Sequence, residues 1–184
     1  MEPIRLQTPL TVEDTAKLRA GQTCLISGII YTARDSAHKR LVELLEKGEE
    51  LPFDPRGQLL YYVGPCPAPP GKVIGSAGPT TSVRMDVYTP ALLAAGVRGV
   101  IGKGDRGQQV VQALMDNKAV YFAAIGGAGA LIAKSVVEAE VVAFPDLGPE
   151  AVHRLKVQDM PVIVVIDSLG QNFYTLGRKE YSKR

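Results

Sequence analysis

Three cations and a pair of hydroxyls are the residues best suited to chemistry. Arg34 and Asp35 fall in YTARDSAHKRL, Thr80, Thr81 and Arg84 in GPTTSVRMD, and Lys103 in VIGKGDRG. A guanidinium offers a planar fork that matches a carboxylate. Threonine hydroxyls and turn N–H groups together make a cradle for an anionic oxygen. Glycines on both sides of Lys103 let the backbone approach a ligand closely. Each stretch also has a plainer reading: Asp35 as a helix cap beside a surface arginine, the two hydroxyls bonding their own turn, and Lys103 as a solvated turn lysine. Taken together, the cations and hydroxyls suit a small dianion such as a dicarboxylate. His38, four residues after Arg34, shares its helix face and reads as a structural histidine. Lys103 is followed by Gly104 rather than Ser or Thr, so this is not a phosphate-binding P-loop. In IGGAGALIA, Gly127 and Gly129 are followed by Ile132 where a dinucleotide fingerprint needs a third small residue. Helix–sheet packing explains that turn better.

These residues need elements to hold them. TVEDTAKL opens with Thr11 and carries Asp14 three residues on, a helix start related to the capping box. Gln22 to Ala33 is β-branched and apolar and predicts a strand. DSAHKRLVELLEKG predicts a helix, with Asp35 or Ser36 as its cap, Ala37, Leu41, Leu44 and Leu45 as its stripe, and Gly48 closing it. QLLYYVG predicts a strand. The Pro/Gly-dense run from Gly64 to Thr81 excludes a helix, and an ordered loop of that length inside a domain is usually functional. TPALLAAG predicts a helix with Thr89 at the cap and Pro90 in the first turn. VRGVIG, AVYFAAIGG, EAEVVAF and MPVIVVID read as strands, and GQQVVQALMDN, AGALIAKSV and GPEAVHRL as helices. The alternation gives an α/β class with a mixed or parallel sheet and flanking helices. No internal repeat and no clean boundary divides residues 1–184, which are expected to form one domain.

The bulk numbers narrow the function. Among 184 residues, 21 basic and 19 acidic side chains leave a net charge of +2, which argues against a nucleic-acid or membrane-surface role. The one basic cluster, GRKEYSKR from Gly177 to Arg184, reads as a frayed tail. Two cysteines, Cys24 and Cys66, make neither a disulfide framework nor a four-ligand metal site. No apolar run reaches membrane-spanning length and MEPIRLQTPL lacks a signal-peptide core, so a cytoplasmic location is expected.

The run YYVGPCPAPPGKVIGSAGPTTSVRMD, followed by GVRGVIGKGD, resembles the β subunit, or C-terminal domain, of class I iron–sulfur fumarases. Tartrate dehydratase β chains are similar, and GIIYTARDSAHKRL and IGGAGALIA fit as well. The resemblance runs from about Pro3 to Phe173 and implies a swivelling β/β/α domain. It implies a hydro-lyase that interconverts fumarate and (S)-malate, with L-tartrate dehydratase or a non-catalytic dicarboxylate-binding domain as alternatives. In that family three cysteines of the α part hold a [4Fe–4S] cluster. This chain would therefore be a β subunit that is inactive until joined to an α subunit carrying the cluster, in a hetero-oligomer for which α2β2 is one form. The family pattern makes Thr80 the catalytic base, and Arg34, Thr81, Arg84 and Lys103 the substrate-binding residues. It assigns no metal ligand to this chain.

Overall fold

A computed structural model describes residues 2–124 and 129–181, with side chains through residue 177. Two early strands set the frame. β1 (Ile4–Gln7) runs parallel to the first half of β2 (Thr23–Thr32), pairing Ile4 with Cys24. The far end of β2 pairs in parallel with β3 (Leu59–Tyr61), which pairs with β4 (Gly99–Gly102), which pairs with β5 (Val120–Ala123). The long β7 (Val152–Ile166) then runs antiparallel to β5 and also antiparallel to β2. Strands β2, β3, β4, β5 and β7 thus close into a ring, and β6 (Val136–Ala143) adds to the outside of β7. The sheet is mixed, and the arrangement is compatible with a β/β/α domain.

Side-chain alternation explains how both faces of these short strands are buried. Leu59, Tyr61, Ile101, Val120 and Phe122 point into the closed ring with Cys24, Ile26, Ile30 and Val164. Their neighbours Leu60, Tyr62, Val100 and Tyr121 point outward. That outer face is covered by α2 (Asp35–Glu46), α3 (Thr89–Ala94) and α4 (Gln108–Asp116), through Ala37, Leu41, Leu92, Leu93, Val110 and Leu114. α1 (Val12–Lys17) starts with the expected box: Thr11 and Asp14 bond reciprocally. α5 (Gly129–Lys134) precedes β6, and α6 (Phe173–Tyr181) follows β7. Among the described residues no helix is long and apolar enough to cross a membrane.

Several expectations need correction. GPEAVHRL is not a helix: a 3-10 turn ends at Glu150, and Val152 to Leu155 begin β7. Pairing of Leu155 with Ile30 and of Arg154 with both Tyr31 and Glu140 outweighs the local helix preference of Glu150, Ala151 and Leu155. α6 (Phe173–Tyr181) starts before the segment read as a tail and reaches into it, and Asn172 accepts the Tyr174 N–H at 2.9 Å as a cap. Neither Asp35 nor Ser36 caps α2; Arg34 holds that position with no side-chain bond, and Asp35 is the first helical residue. Thr89 lies inside the first turn of α3 after Tyr88, and its hydroxyl has other partners. β1 is an added element, a four-residue strand too short to carry a periodic signal. The glycine turn of IGGAGALIA lies largely at 125–128, outside the described residues.

Candidate functional site

Because β2, β3 and β4 are parallel, their carboxyl ends open on one side, and a candidate segment leaves each of them. The loop that starts at Gly64 returns to the sheet at Thr80, whose N–H donates to Tyr62 O at 2.6 Å. Thr81 then bridges Lys103 in parallel register. The Ser82 N–H donates to Lys103 O at 2.9 Å, and the Lys103 N–H donates to Ser82 Oγ at 3.0 Å. Thr80 to Ser82 therefore lie along the ends of β3 and β4. A Cβ on Gly102 would stand 2.0 Å from Ser82 Oγ, so this seam closes only over a glycine. The loop itself is anchored: Ile74 and Ala77 enter the core, and the Tyr61 hydroxyl donates to Ala77 O.

Arg34 and Arg84 meet at one carboxylate. Arg84 Nε lies 2.9 Å from Asp35 Oδ1, and Arg34 Nη2 lies 3.8 Å from Asp35 Oδ2 and 3.3 Å from Glu150 Oε1. Gly64 makes room for the Arg34 stem; its Cβ would stand 3.0 Å from Arg34 Cδ. Arg84 belongs to the 3-10 turn Ser82–Met85 that directly follows Thr81. The structure therefore places the five candidate residues on adjoining segments at the ends of β2, β3 and β4. Arg34 joins Arg84 through Asp35, Arg84 joins Thr81 through one turn, and Thr81 joins Lys103 through the bridge. Thr81, Arg84 and Lys103 are exposed, while Thr80 and Arg34 are half-buried. Among the described residues the two threonine hydroxyls and the Lys103 ammonium form no hydrogen bond or ion pair.

A buried polar layer backs this surface. Arg106 Nε donates to Asp86 Oδ1 at 2.7 Å, and Arg106 Nη2 donates to Thr89 Oγ1 at 2.8 Å. The Gly107 N–H donates to Asp86 Oδ2 at 2.6 Å, and the Thr89 hydroxyl donates to Met85 O at 2.8 Å. Ser82 Oγ lies 3.0 Å from the Tyr121 hydroxyl, which donates to Gly104 O at 2.9 Å. Burial pushes the Tyr121 phenol up, so it stays protonated and able to donate. His38 packs edge-on against Tyr62, with Nδ1 2.9 Å from Arg34 O. Burial pushes His38 down to about 4, so the ring is neutral, in keeping with its structural reading.

Residues 1–177 match the family model described as Fumarase C-terminus. The chain belongs to the fumarase C-terminus family. A protein named putative L(+)-tartrate dehydratase subunit beta, from Methanocaldococcus jannaschii, is 40% identical over 181 residues, covering 95% of this chain and 93% of that protein. The anaerobic class I fumarate hydratase of Escherichia coli is 39% identical over 151 residues, 81% of this chain and 28% of the relative. Fumarate hydratase 2 of Leishmania major is 37% identical over 157 residues, 84% and 28% respectively. The chain thus spans under a third of these two fumarases, and nearly the full length of the tartrate dehydratase subunit.

Neither cysteine of this family member stands in a group of metal ligands among the described residues. Cys24 is buried in the ring and its thiol is pushed up to about 11 by burial, while Cys66 sits exposed on the loop after β3. Among the described residues no three His, Cys, Asp or Glu side chains group as a metal site. The roles of five residues were not legible in the sequence. Asp35 is a counter-ion for Arg84 rather than a cap, and Glu150 pairs with Arg34. Ser82 pins the Lys103 backbone, and Arg106 with Asp86 forms the buried pair. Arg106 follows the same glycine turn as Lys103, and Asp86 follows the same run as Arg84. Nothing local to either segment signals that they pair.

Proposed function

We propose that this chain is the β subunit of a class I fumarate hydratase, the half that receives the dicarboxylate. The observation that carries the reading is the assembly of Arg34, Arg84, Lys103, Thr80 and Thr81 at the carboxyl ends of three parallel strands. Two arginines there already share a carboxylate, Asp35, which supports reading the surface as one that pairs with carboxylates. In the dehydration direction a proton leaves the carbon next to a carboxylate, and negative charge builds on that carboxylate. Cations aimed at it bind the transition state more strongly than the ground state. Arg34, Arg84 and Lys103 take that role, and Thr81 donates a hydrogen bond to a substrate carboxylate. Thr80 accepts the proton; a threonine hydroxyl is a weak base, so the neighbouring cations must stabilise its deprotonated form.

This chain's two cysteines do not form a ligand set, so the [4Fe–4S] cluster belongs in this reading to an α-type partner in a cytoplasmic hetero-oligomer. A second reading, L(+)-tartrate dehydratase β subunit, is favoured by one observation: the relative of that name is 40% identical to this chain over 181 residues. The test is to combine the chain anaerobically with a cluster-loaded α-type chain. Fumarate hydration and L(+)-tartrate dehydration are then assayed side by side. The mixture is expected to hydrate fumarate and the isolated chain to do nothing. Faster turnover of tartrate would move the assignment to the second reading, and turnover by the isolated chain would refute the division of labour.

A further inference from the structure

We propose that Arg106 is a positioning residue that holds three segments of the dicarboxylate site in register; the inference rests on the functional reading above. Its side chain is 0% exposed and its partner Asp86 is 7% exposed. A buried ion pair of this kind is a poor way to gain stability, because desolvation offsets the attraction. What it supplies is geometry. Arg106 Nε reaches Asp86, two residues beyond Arg84, and the other oxygen of Asp86 receives the Gly107 N–H. Arg106 Nη2 reaches Thr89, whose hydroxyl in turn donates to Met85 O at the end of the Arg84 turn. The guanidinium carbon lies 5.3 Å from the Tyr62 ring centroid and 5.0 Å from that of Tyr121. Tyr62 O holds the Thr80 N–H, and the Tyr121 hydroxyl holds Ser82, which accepts the Lys103 N–H, and Gly104, which follows Lys103. One fork thus ties the Arg84 turn to the Lys103 turn and packs against the two tyrosines that hold Thr80 and Ser82. Its planar shape is what a lysine cannot reproduce: an ammonium is a point charge without the fixed fork.

The test has two arms. In the first, amide hydrogen exchange is measured on this chain alone, as wild type and as Arg106→Lys. Exchange at Ser82, Lys103 and Gly107 is expected to accelerate about tenfold or more, with β2 and β7 amides unchanged. Equal acceleration in β2 and β7 would make Arg106 a residue of general stability and overturn the proposal, as would no change at the three amides. Should Arg106→Lys not fold, Thr89→Val keeps the ion pair and removes one arm of the fork; the same three amides are then expected to respond. In the second arm, kcat/KM of the assembled enzyme is measured for Arg106→Lys with Lys103 intact and with Lys103→Ala. A misplaced site costs on the order of 100-fold, and the loss is expected to shrink several-fold when Lys103 is already absent. Fully additive losses would contradict action through that turn. If the wild-type assembly turns over neither fumarate nor tartrate, the functional reading fails, while the exchange arm still decides whether Arg106 holds the segments.

Discussion

His38 is fully buried beneath the Arg34 backbone, and this makes folding stability depend on pH in a defined window. Desolvation lowers its pKa from the ordinary 6.5 to about 4, and the positive charge of Arg106 acts in the same direction; the Arg34 carbonyl and Asp35 oppose the shift. A folded pKa below the unfolded value means that the unfolded chain takes up the proton first. The stabilisation is therefore complete above about pH 6.5 and is lost as pH falls toward 4. At 1.36 kcal/mol per pKa unit the difference is worth about 3 kcal/mol. The perturbation is His38→Asn, which removes the titration. The assay is urea unfolding of both proteins at a series of pH values between about 7 and 4. Wild type is expected to lose about 3 kcal/mol more than the variant over that range, whatever the offset between them at neutral pH. Parallel stability curves would show that His38 is not held neutral by burial and would refute the argument.

Two further outcomes follow from the site's geometry. Thr80→Ala in the assembled enzyme is expected to lower kcat while leaving KM largely intact, since a base acts in the transition state; steady-state kinetics with normal kcat and raised KM would make Thr80 a binding residue. Gly102→Ala is expected to destabilise the chain by about 1–3 kcal/mol, because its Cβ would stand 2.0 Å from Ser82 Oγ and force the Lys103 seam apart; an unchanged melting temperature would contradict that packing.

The parts of the fold legible in sequence were those decided locally. The β-branched run of β2, the apolar stripe of α2 and the Thr11–Asp14 box each carry their own signal over a few residues. Closure of the ring is different in kind, because β7 pairs with β2 across most of the chain length and also with β5. Its first residues even look helical until those partners are known. The site divides the same way. Arg34 and Lys103 were visible because each follows a strand, and Thr80, Thr81 and Arg84 because they end a Pro/Gly-rich loop. The Asp35–Arg84 pair and the Arg106–Asp86 pair are contacts between distant segments, 20 residues apart in the second case, and no local pattern encodes them.

The central claim, that this surface receives a dicarboxylate, is tested most directly by binding through Arg84. In the free chain Arg84 is 53% exposed and, among the described residues, paired with Asp35 alone, so Arg84→Ala should change stability by no more than about 1 kcal/mol. In the assembled enzyme it would leave a substrate carboxylate unpaired, a cost of about 2–5 kcal/mol. The measurement is calorimetric titration of the assembled wild-type and Arg84→Ala enzymes with a saturated four-carbon dicarboxylate that cannot react. Affinity is expected to fall at least about 30-fold with stability nearly unchanged. Equal affinity in the two proteins would place the substrate elsewhere and contradict the account.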